Sequence, residues 1–130
     1  MSIPEELRYS RDHEWVSVSR AGDDFIARIG ITHYAQDALG DIVFVQLPKP
    51  NTTVAANDSF SEVESTKSVS DVYAPVSGRV IEVNSDLQGS PERLNVDPYG
   101  AGWICTILMA DKHELDSLMD AAEYGKLIGQ

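Results

Sequence analysis

The chain has 130 residues, 42% of them hydrophobic, enough for one modest core and too few for two ordinary domains. Its 21 acidic residues outnumber 10 basic ones, and the net charge of −11 opposes binding to nucleic-acid phosphates or anionic membrane surfaces while favouring basic protein partners. The only cysteine, Cys105, excludes an intrachain disulfide and a cysteine metal cluster, and no run approaches the ~20 apolar residues of a membrane helix.

Residues 1–6 lack both the basic start and apolar stretch of a secretory signal and the acid-poor character of a mitochondrial transit peptide. A soluble, bacterial-type cytoplasmic protein is the expectation, with a mature mitochondrial form as the alternative. Residues 14–19 and 25–31 read as two strands joined through a turn at 21–24. Thr32 then offers a helix N-cap and Gly40 a helix stop, with Tyr34, Ala35, Ala38 and Leu39 at helical spacing between them. Residues 42–47 return to strand until Pro48 and Pro50 break it.

The segment 59–74 reads as a hairpin. Phe60, Val63, Val69, Val72 and Tyr73 suit a pleated, half-buried surface, and residues 65–68 supply the small polar side chains of a turn. Lys67 stands at its tip, the only basic residue between Lys49 and Arg79. An exposed lysine there is ill placed for Schiff-base chemistry, which needs an apolar pocket to shift its pKa, and well placed for another protein to modify. By itself, though, a turn lysine is most often a solvated charge.

Beyond the hairpin, residues 76–78 turn the chain into a strand over 79–84. The stretch 85–102 is rich in Pro, Gly, Asn and Asp, with a helical turn expected near 91–94. Residues 103–109 form an apolar closing strand in which Cys105 is a core residue. Asp111 with Glu114, and Asp120 with Glu123, have capping-box spacing and predict two C-terminal helices near 111–128, the first with Leu115, Leu118 and Met119 as its apolar face. Many short strands and few helices argue a mainly β fold, a small barrel or sandwich.

Several other motifs fail on inspection. His13-Glu14 begins like a zinc-protease helix, but Ser17 occupies the position of the second histidine, and His33 and His113 are isolated, so no metal site is expected. No nucleophile, base and orienting group can be assembled. Tyr99 and Trp103 lack the basic surroundings of a base-stacking platform and read as packing residues.

The longer run 64–84, Glu-Ser-Thr-Lys-Ser-Val-Ser-Asp-Val-Tyr-Ala-Pro-Val-Ser-Gly-Arg-Val-Ile-Glu-Val-Asn, resembles the lipoyl-lysine hairpin of the glycine cleavage system H proteins. The resemblance extends upstream through residues 12–16 and 30–48 and downstream through 95–103, so it covers nearly the whole chain. Biotin carriers resemble the hairpin alone and usually show Met-Lys-Met where this chain has Thr66-Lys67-Ser68. Thr66 and Ser68 are also more polar than the family's usual neighbours of the lysine. Asn51 and Asn57 stand where the family often has glycine, and asparagine is the non-glycine residue most tolerant of positive φ.

The resemblance implies a flattened barrel-sandwich hybrid of the lipoyl-domain type, with one short internal helix and C-terminal helices, formed as a single carrier domain over 1–130. It implies lipoate in amide linkage to Lys67 and a shuttle that catalyses no step itself. Glycine decarboxylase (P protein) would load the arm with an aminomethyl group. Aminomethyltransferase (T protein) would unload it, dihydrolipoyl dehydrogenase (L protein) would reoxidise it, and lipoylating enzymes would install the lipoate. Glu14 and Asp71, with Asp12 as a third, are the candidate residues for sheltering the loaded arm's ammonium, because carboxylates pair with cations. Glu62 and Glu64 are candidates for guiding docking or recognition by the lipoylating enzyme. The alternative is an H-like protein serving lipoate relay or another lipoyl-dependent oxidation. A third reading is an interaction module with Lys67 unmodified.

Overall fold

The computed structural model describes residues 2–130, and Met1 lies outside the described residues. In chain order the elements are β1 (Arg8–Tyr9), β2 (Glu14–Ala21), β3 (Asp24–Ile31), α1 (His33–Leu39), β4 (Ile42–Gln46), β5 (Thr53–Val54), β6 (Ser59–Ser65) and β7 (Val69–Tyr73). There follow β8 (Gly78–Val83), α2 (Asp86–Gly89), α3 (Arg93–Val96), β9 (Cys105–Met109), a 3₁₀ turn at Lys112–Ser117 and α4 (Ala121–Leu127). Two antiparallel sheets result: six strands in the order β1-β2-β3-β9-β8-β5, and three in the order β4-β6-β7. This is the mainly β, barrel-sandwich architecture.

Period-two alternation explains how the sheets face each other. Along β6, Ser61, Val63 and Ser65 are buried while Glu62 and Glu64 are exposed. Val63 meets Val45, Val72, Ile29, Ile107 and Val80 in one apolar cluster, capped by Leu87 and Leu94 from the single-turn helices α2 and α3. Each such aliphatic side chain contributes about 1.5–3 kcal/mol when fully buried. Cys105 belongs to this core, and burial pushes its thiol up to about 12, so it is an inert filler.

A second cluster, Leu7, Tyr9, Trp15 and Tyr124, joins the chain termini to the six-stranded sheet. The Tyr9 and Tyr124 rings stack at 4.7 Å. Trp15 Nε1 donates to the Pro98 carbonyl at 2.9 Å, and the indole fills the space left by Gly30 on the neighbouring strand. A Cβ on Gly30 would lie 2.6 Å from Trp15 Nε1, so the small residue is a packing requirement.

The local signals held at several places. Thr32 Oγ1 accepts from Ala35 N and opens α1 as an N-cap. Asn51 and Asn57 adopt φ of 70° and 74°, the left-handed conformation expected of them. At α4 the capping box is complete: Asp120 accepts from Glu123 N at 2.8 Å, and Glu123 from Asp120 N at 3.1 Å. Asp120→Ala is expected to lower stability by about 1 kcal/mol, read as a lower urea midpoint with an unchanged slope.

Other details differ from the sequence expectation. The segment after Asp111 is a 3₁₀ turn without a capping box. Asp111 accepts from His113 N, and the Glu114 carboxylate reaches away to accept from Ser77 N and Oγ, both at 2.8 Å. A tertiary demand at the turn into β8 has captured the acid that local spacing assigned to the cap. The closing strand begins at Cys105, two residues late, and the two-residue strands β1 and β5 are too short to leave a periodic signal. No helix among the described residues is long and apolar enough to cross a membrane.

Candidate functional site

The hairpin tip is built by Ser65. Its Oγ accepts from Lys67 N and Ser68 N, both at 3.1 Å, while its backbone N–H donates to Ser68 O at 2.8 Å. A serine side chain thus closes the tight turn that projects Lys67. The tip is also tied sideways, because Thr66 N donates to Asp41 O at 3.1 Å across to the α1–β4 junction. Lys67 is exposed and takes part in none of the salt bridges among the described residues. Its backbone is held and its amine is free.

The ground beside the lysine is equally specific. Gly40 ends α1 at φ 83°, ψ −156°, a conformation close to glycine's own region, and its missing Cβ leaves room for the lysine stem. A Cβ there would lie 3.0 Å from Lys67 Cε. Asn95 on α3 fixes this platform: its Oδ1 accepts from Ile42 N, and its Nδ2 donates to Gly40 O and Gln36 Oε1, each at 2.9 Å. Sequence reasoning missed Asn95, since one asparagine in a loop-rich stretch carries no signal of a contact 55 residues away. Asn95→Ala leaves Ile42 N without its partner and is expected to cost about 2 kcal/mol. Faster hydrogen exchange at Thr66 N would show that the tip has loosened.

Glu14 opens β2 and is buried, 2% exposed. Ser10 Oγ donates to its Oε1 at 2.5 Å, and Tyr73 N at the end of β7 donates to its Oε2 at 3.3 Å. Burial pushes the Glu14 carboxyl up to about 7, against those two hydrogen bonds, with a small further push from the charge of Asp12. The acid is therefore poised near neutrality, and a cation placed against it favours the ionised form. Asp12 itself is exposed.

Asp71 is exposed on the outer face of β7, where its Oδ1 accepts from Ser59 Oγ at 2.9 Å. It lies two residues from Tyr73, the backbone contact of Glu14. Glu14 and Asp71 are thus brought to the same stretch of β7, while Lys67 stands at the strand's other end. The residues that arrange Glu14 were not anticipated. His13 takes φ 72°, and its Nδ1 pairs with Tyr124 OH at 2.9 Å, while Thr32 Oγ1 holds the same hydroxyl at 2.7 Å. His13 packs against Tyr34 at 4.8 Å, and burial holds its pKa below the ordinary value. Histidine is enriched at positive φ, but such residues are a few per cent of all non-glycine positions, so one histidine does not mark the turn beforehand.

A surface hollow lined by Glu6, Leu7, Trp15, Arg28, Tyr99 and Trp103 among others does not include Lys67. Arg28 lies over the Trp103 ring there at 4.2 Å and pairs with Glu82 at 3.4 Å. Among the described residues no group of three or more His, Cys, Asp or Glu could hold a metal ion.

The family profile described as "Glycine cleavage H-protein" matches residues 7–130. The chain is 56% identical over 128 residues to a glycine cleavage system H protein of Mycobacterium tuberculosis, covering 94% of this chain and 93% of the relative. It is 56% identical over 126 residues to one of Mycobacterium avium, with the same coverage. It also matches the crystal structure of a glycine cleavage system H protein from Mycobacterium marinum with a TM-score of 0.85 and 43% identity, over 98% of this chain and 100% of that one.

Proposed function

Because the chain belongs to the glycine cleavage H-protein family, whose members carry lipoate covalently on a lysine, we propose that Lys67 is its attachment point and residues 1–130 act as one carrier domain. The protein is a lipoyl-carrying shuttle of the glycine cleavage system. The observation that carries the assignment of Lys67 is the exposed amine on a closed, laterally tied hairpin tip, with Gly40 leaving space beside its stem. Lipoate held there supplies a disulfide that accepts a one-carbon unit and two electrons and can later be restored by oxidation.

The chain's own part is positional. Ser65, Thr66 and Asn95 keep the base of the arm rigid, so that its flexibility begins at the lysine Cα. β7 from Val69 to Tyr73 is roughly 13 Å long, and Lys67 stands two residues before it, so an arm folded back from the tip would run along this strand. An arm folded back along the strand would bring its end toward Glu14, whose ionised form would hold a terminal ammonium with a charge-assisted hydrogen bond. Asp71 along the route and Asp12 beside Glu14 add negative potential. We assign the shelter to these three acids.

The working partners are glycine decarboxylase, aminomethyltransferase, dihydrolipoyl dehydrogenase and a lipoylating enzyme, with the protein acting as a non-enzymatic cytoplasmic carrier. Transient docking would raise the local concentration of the arm at each active site to roughly millimolar. The test is peptide mass spectrometry after incubation with lipoate, ATP and a lipoate ligase. An adduct confined to the peptide containing Lys67 is expected. An adduct on another lysine, or none with a ligase active on a known acceptor, overturns the assignment.

A further inference from the structure

Glu14 owes its place to the turn between β1 and β2. Ser10 N donates to Glu14 O at 3.0 Å, His13 N to Ser10 O at 3.3 Å, and Glu14 N to Ser10 Oγ at 3.0 Å, so residues 10–14 close on themselves beside the carboxyl. The closure depends on His13 at φ 72°, a left-handed conformation that a non-glycine residue keeps only where its surroundings fix it. His13 O accepts from Thr32 N at 3.0 Å, which anchors the backbone of that residue. Its side chain is anchored by a residue 111 positions away, through the 2.9 Å contact of Nδ1 with the Tyr124 hydroxyl.

Tyr124 touches this turn at both ends. Its ring lies within 9° of parallel to that of Tyr9, the residue before Ser10. It also meets the ring of His13, the residue before Glu14, edge-on at 5.8 Å. The start of α4 is held to β1 directly, because Tyr9 and Met119 exchange backbone hydrogen bonds of 2.8 Å just before the helix begins. Tyr124 is fully buried, and a hydroxyl sequestered from solvent has to find its partners within the protein. The two it finds, His13 Nδ1 and Thr32 Oγ1 at 2.7 Å, belong to the residues joined by the Thr32–His13 backbone hydrogen bond.

We propose that Tyr124 of the C-terminal helix is a positioning residue for the Glu14 carboxyl, clamping the β1–β2 turn through Tyr9 on one side and His13 on the other. α4 thereby becomes part of the arm's shelter. The carrier reading above is needed only for that consequence, since the position of Glu14 can be read in the unmodified chain. The hydroxyl acts by geometry and not by charge. Burial pushes Tyr124 up to about 12, so the side chain is neutral where Glu14 titrates, and replacing it with phenylalanine removes no charge there. The charge of Asp12, which also bears on Glu14, is left in place by that change.

The test follows the Glu14 side-chain carboxyl by carbon-13 NMR in the full, unmodified chain as pH is varied. Tyr124→Phe keeps the ring stacked on Tyr9 and removes the hydroxyl alone. It is expected to lower the Glu14 midpoint by about 0.5 unit or more, because burial is the largest influence on this carboxyl and a loosened turn admits water. His13→Asn keeps a residue tolerant of the left-handed backbone while withdrawing the ring from Tyr124. It should lower the midpoint likewise, and it decides the matter if the first variant does not fold. Tyr9→Phe removes a hydroxyl from the same cluster, one that donates to Pro4 O at 2.5 Å, and should leave the midpoint within about 0.2 unit of wild type. A smaller fall, no change or a rise in Tyr124→Phe overturns the proposal, as does an equal fall in Tyr9→Phe. In the loaded chain, Tyr124→Phe should shorten the arm's lifetime about threefold or more at about pH 8, and no further where Glu14→Gln is already present. An undiminished shortening on the Glu14→Gln background shows that Tyr124 acts elsewhere and overturns the proposal. If Glu14→Gln leaves the lifetime unchanged, it is the shelter reading that fails, and the carboxyl titration still decides whether Tyr124 positions Glu14.

Discussion

Lys67→Arg is expected to abolish lipoylation and aminomethyl carriage while leaving the fold in place. Arginine keeps the positive charge and nearly the length of lysine, but its guanidinium stays protonated at any working pH and cannot attack an activated acyl group. Nothing in the packing distinguishes the two residues. The side chain is exposed, and the turn is closed by contacts to the backbone N–H of position 67, which arginine retains. Stability should therefore stay within about 0.5 kcal/mol of wild type, as for other surface substitutions. Mass spectrometry should find no adduct, aminomethyl transfer should fall to background, and the thermal melt should be superimposable. Transfer surviving in this variant would sink the arm assignment, and a large loss of stability would show that Lys67 is structural.

Glu14→Gln should have the second largest effect, on both stability and protection of the loaded arm. In the folded protein the carboxyl is pushed from the ordinary 4.5 up to about 7, so the native state holds a proton that the unfolded chain releases earlier. The contribution is fully present below pH 4.5 and is lost as pH rises through about 7, a total near 3 kcal/mol at roughly 1.4 kcal/mol per unit. Glutamine cannot ionise, so the difference between the two stability curves should fall across this window and be flat above it. Tyr124 is raised to about 12 and stays neutral. His13 has a lowered pKa, so its contribution is lost as pH falls, and its presence in both proteins largely cancels from the difference. A difference curve that does not change with pH would contradict a proton held on Glu14.

The same substitution tests the shelter. An ionised Glu14 facing an ammonium is worth roughly 1.5 kcal/mol or more, about tenfold in lifetime. The hydrolysis rate of the loaded variant divided by that of the loaded wild type should approach tenfold at about pH 8. It should decline toward one as pH falls well below 7, where holding the ammonium requires Glu14 to release its proton. Taking the ratio at each pH cancels the intrinsic pH dependence of hydrolysis. A ratio of one at about pH 8 would leave Glu14 with a structural role only.

The sequence by itself determined whatever depends on near neighbours. The Thr32 cap, the Asp120–Glu123 box, the alternation of β6 and the polar turn beneath Lys67 each involve side chains within about four residues, so spacing alone exposes them. The long resemblance then supplied the family and, with it, the meaning of the lysine. Tertiary structure decided what depends on distant partners and on the removal of water. Glu14 looks like any turn carboxylate until Tyr73, 59 residues on, and the surrounding burial shift its proton affinity. Glu114 carries the same cap spacing as Glu123, yet Ser77 claims it across 37 residues. Asn95 becomes the support of the lysine platform only when α3 packs beside Gly40 and Ile42. Local conformational preferences amount to at most about 1 kcal/mol per residue, whereas stranding a buried polar group costs about 1–3 kcal/mol. Where the two compete, the contact formed by the fold prevails.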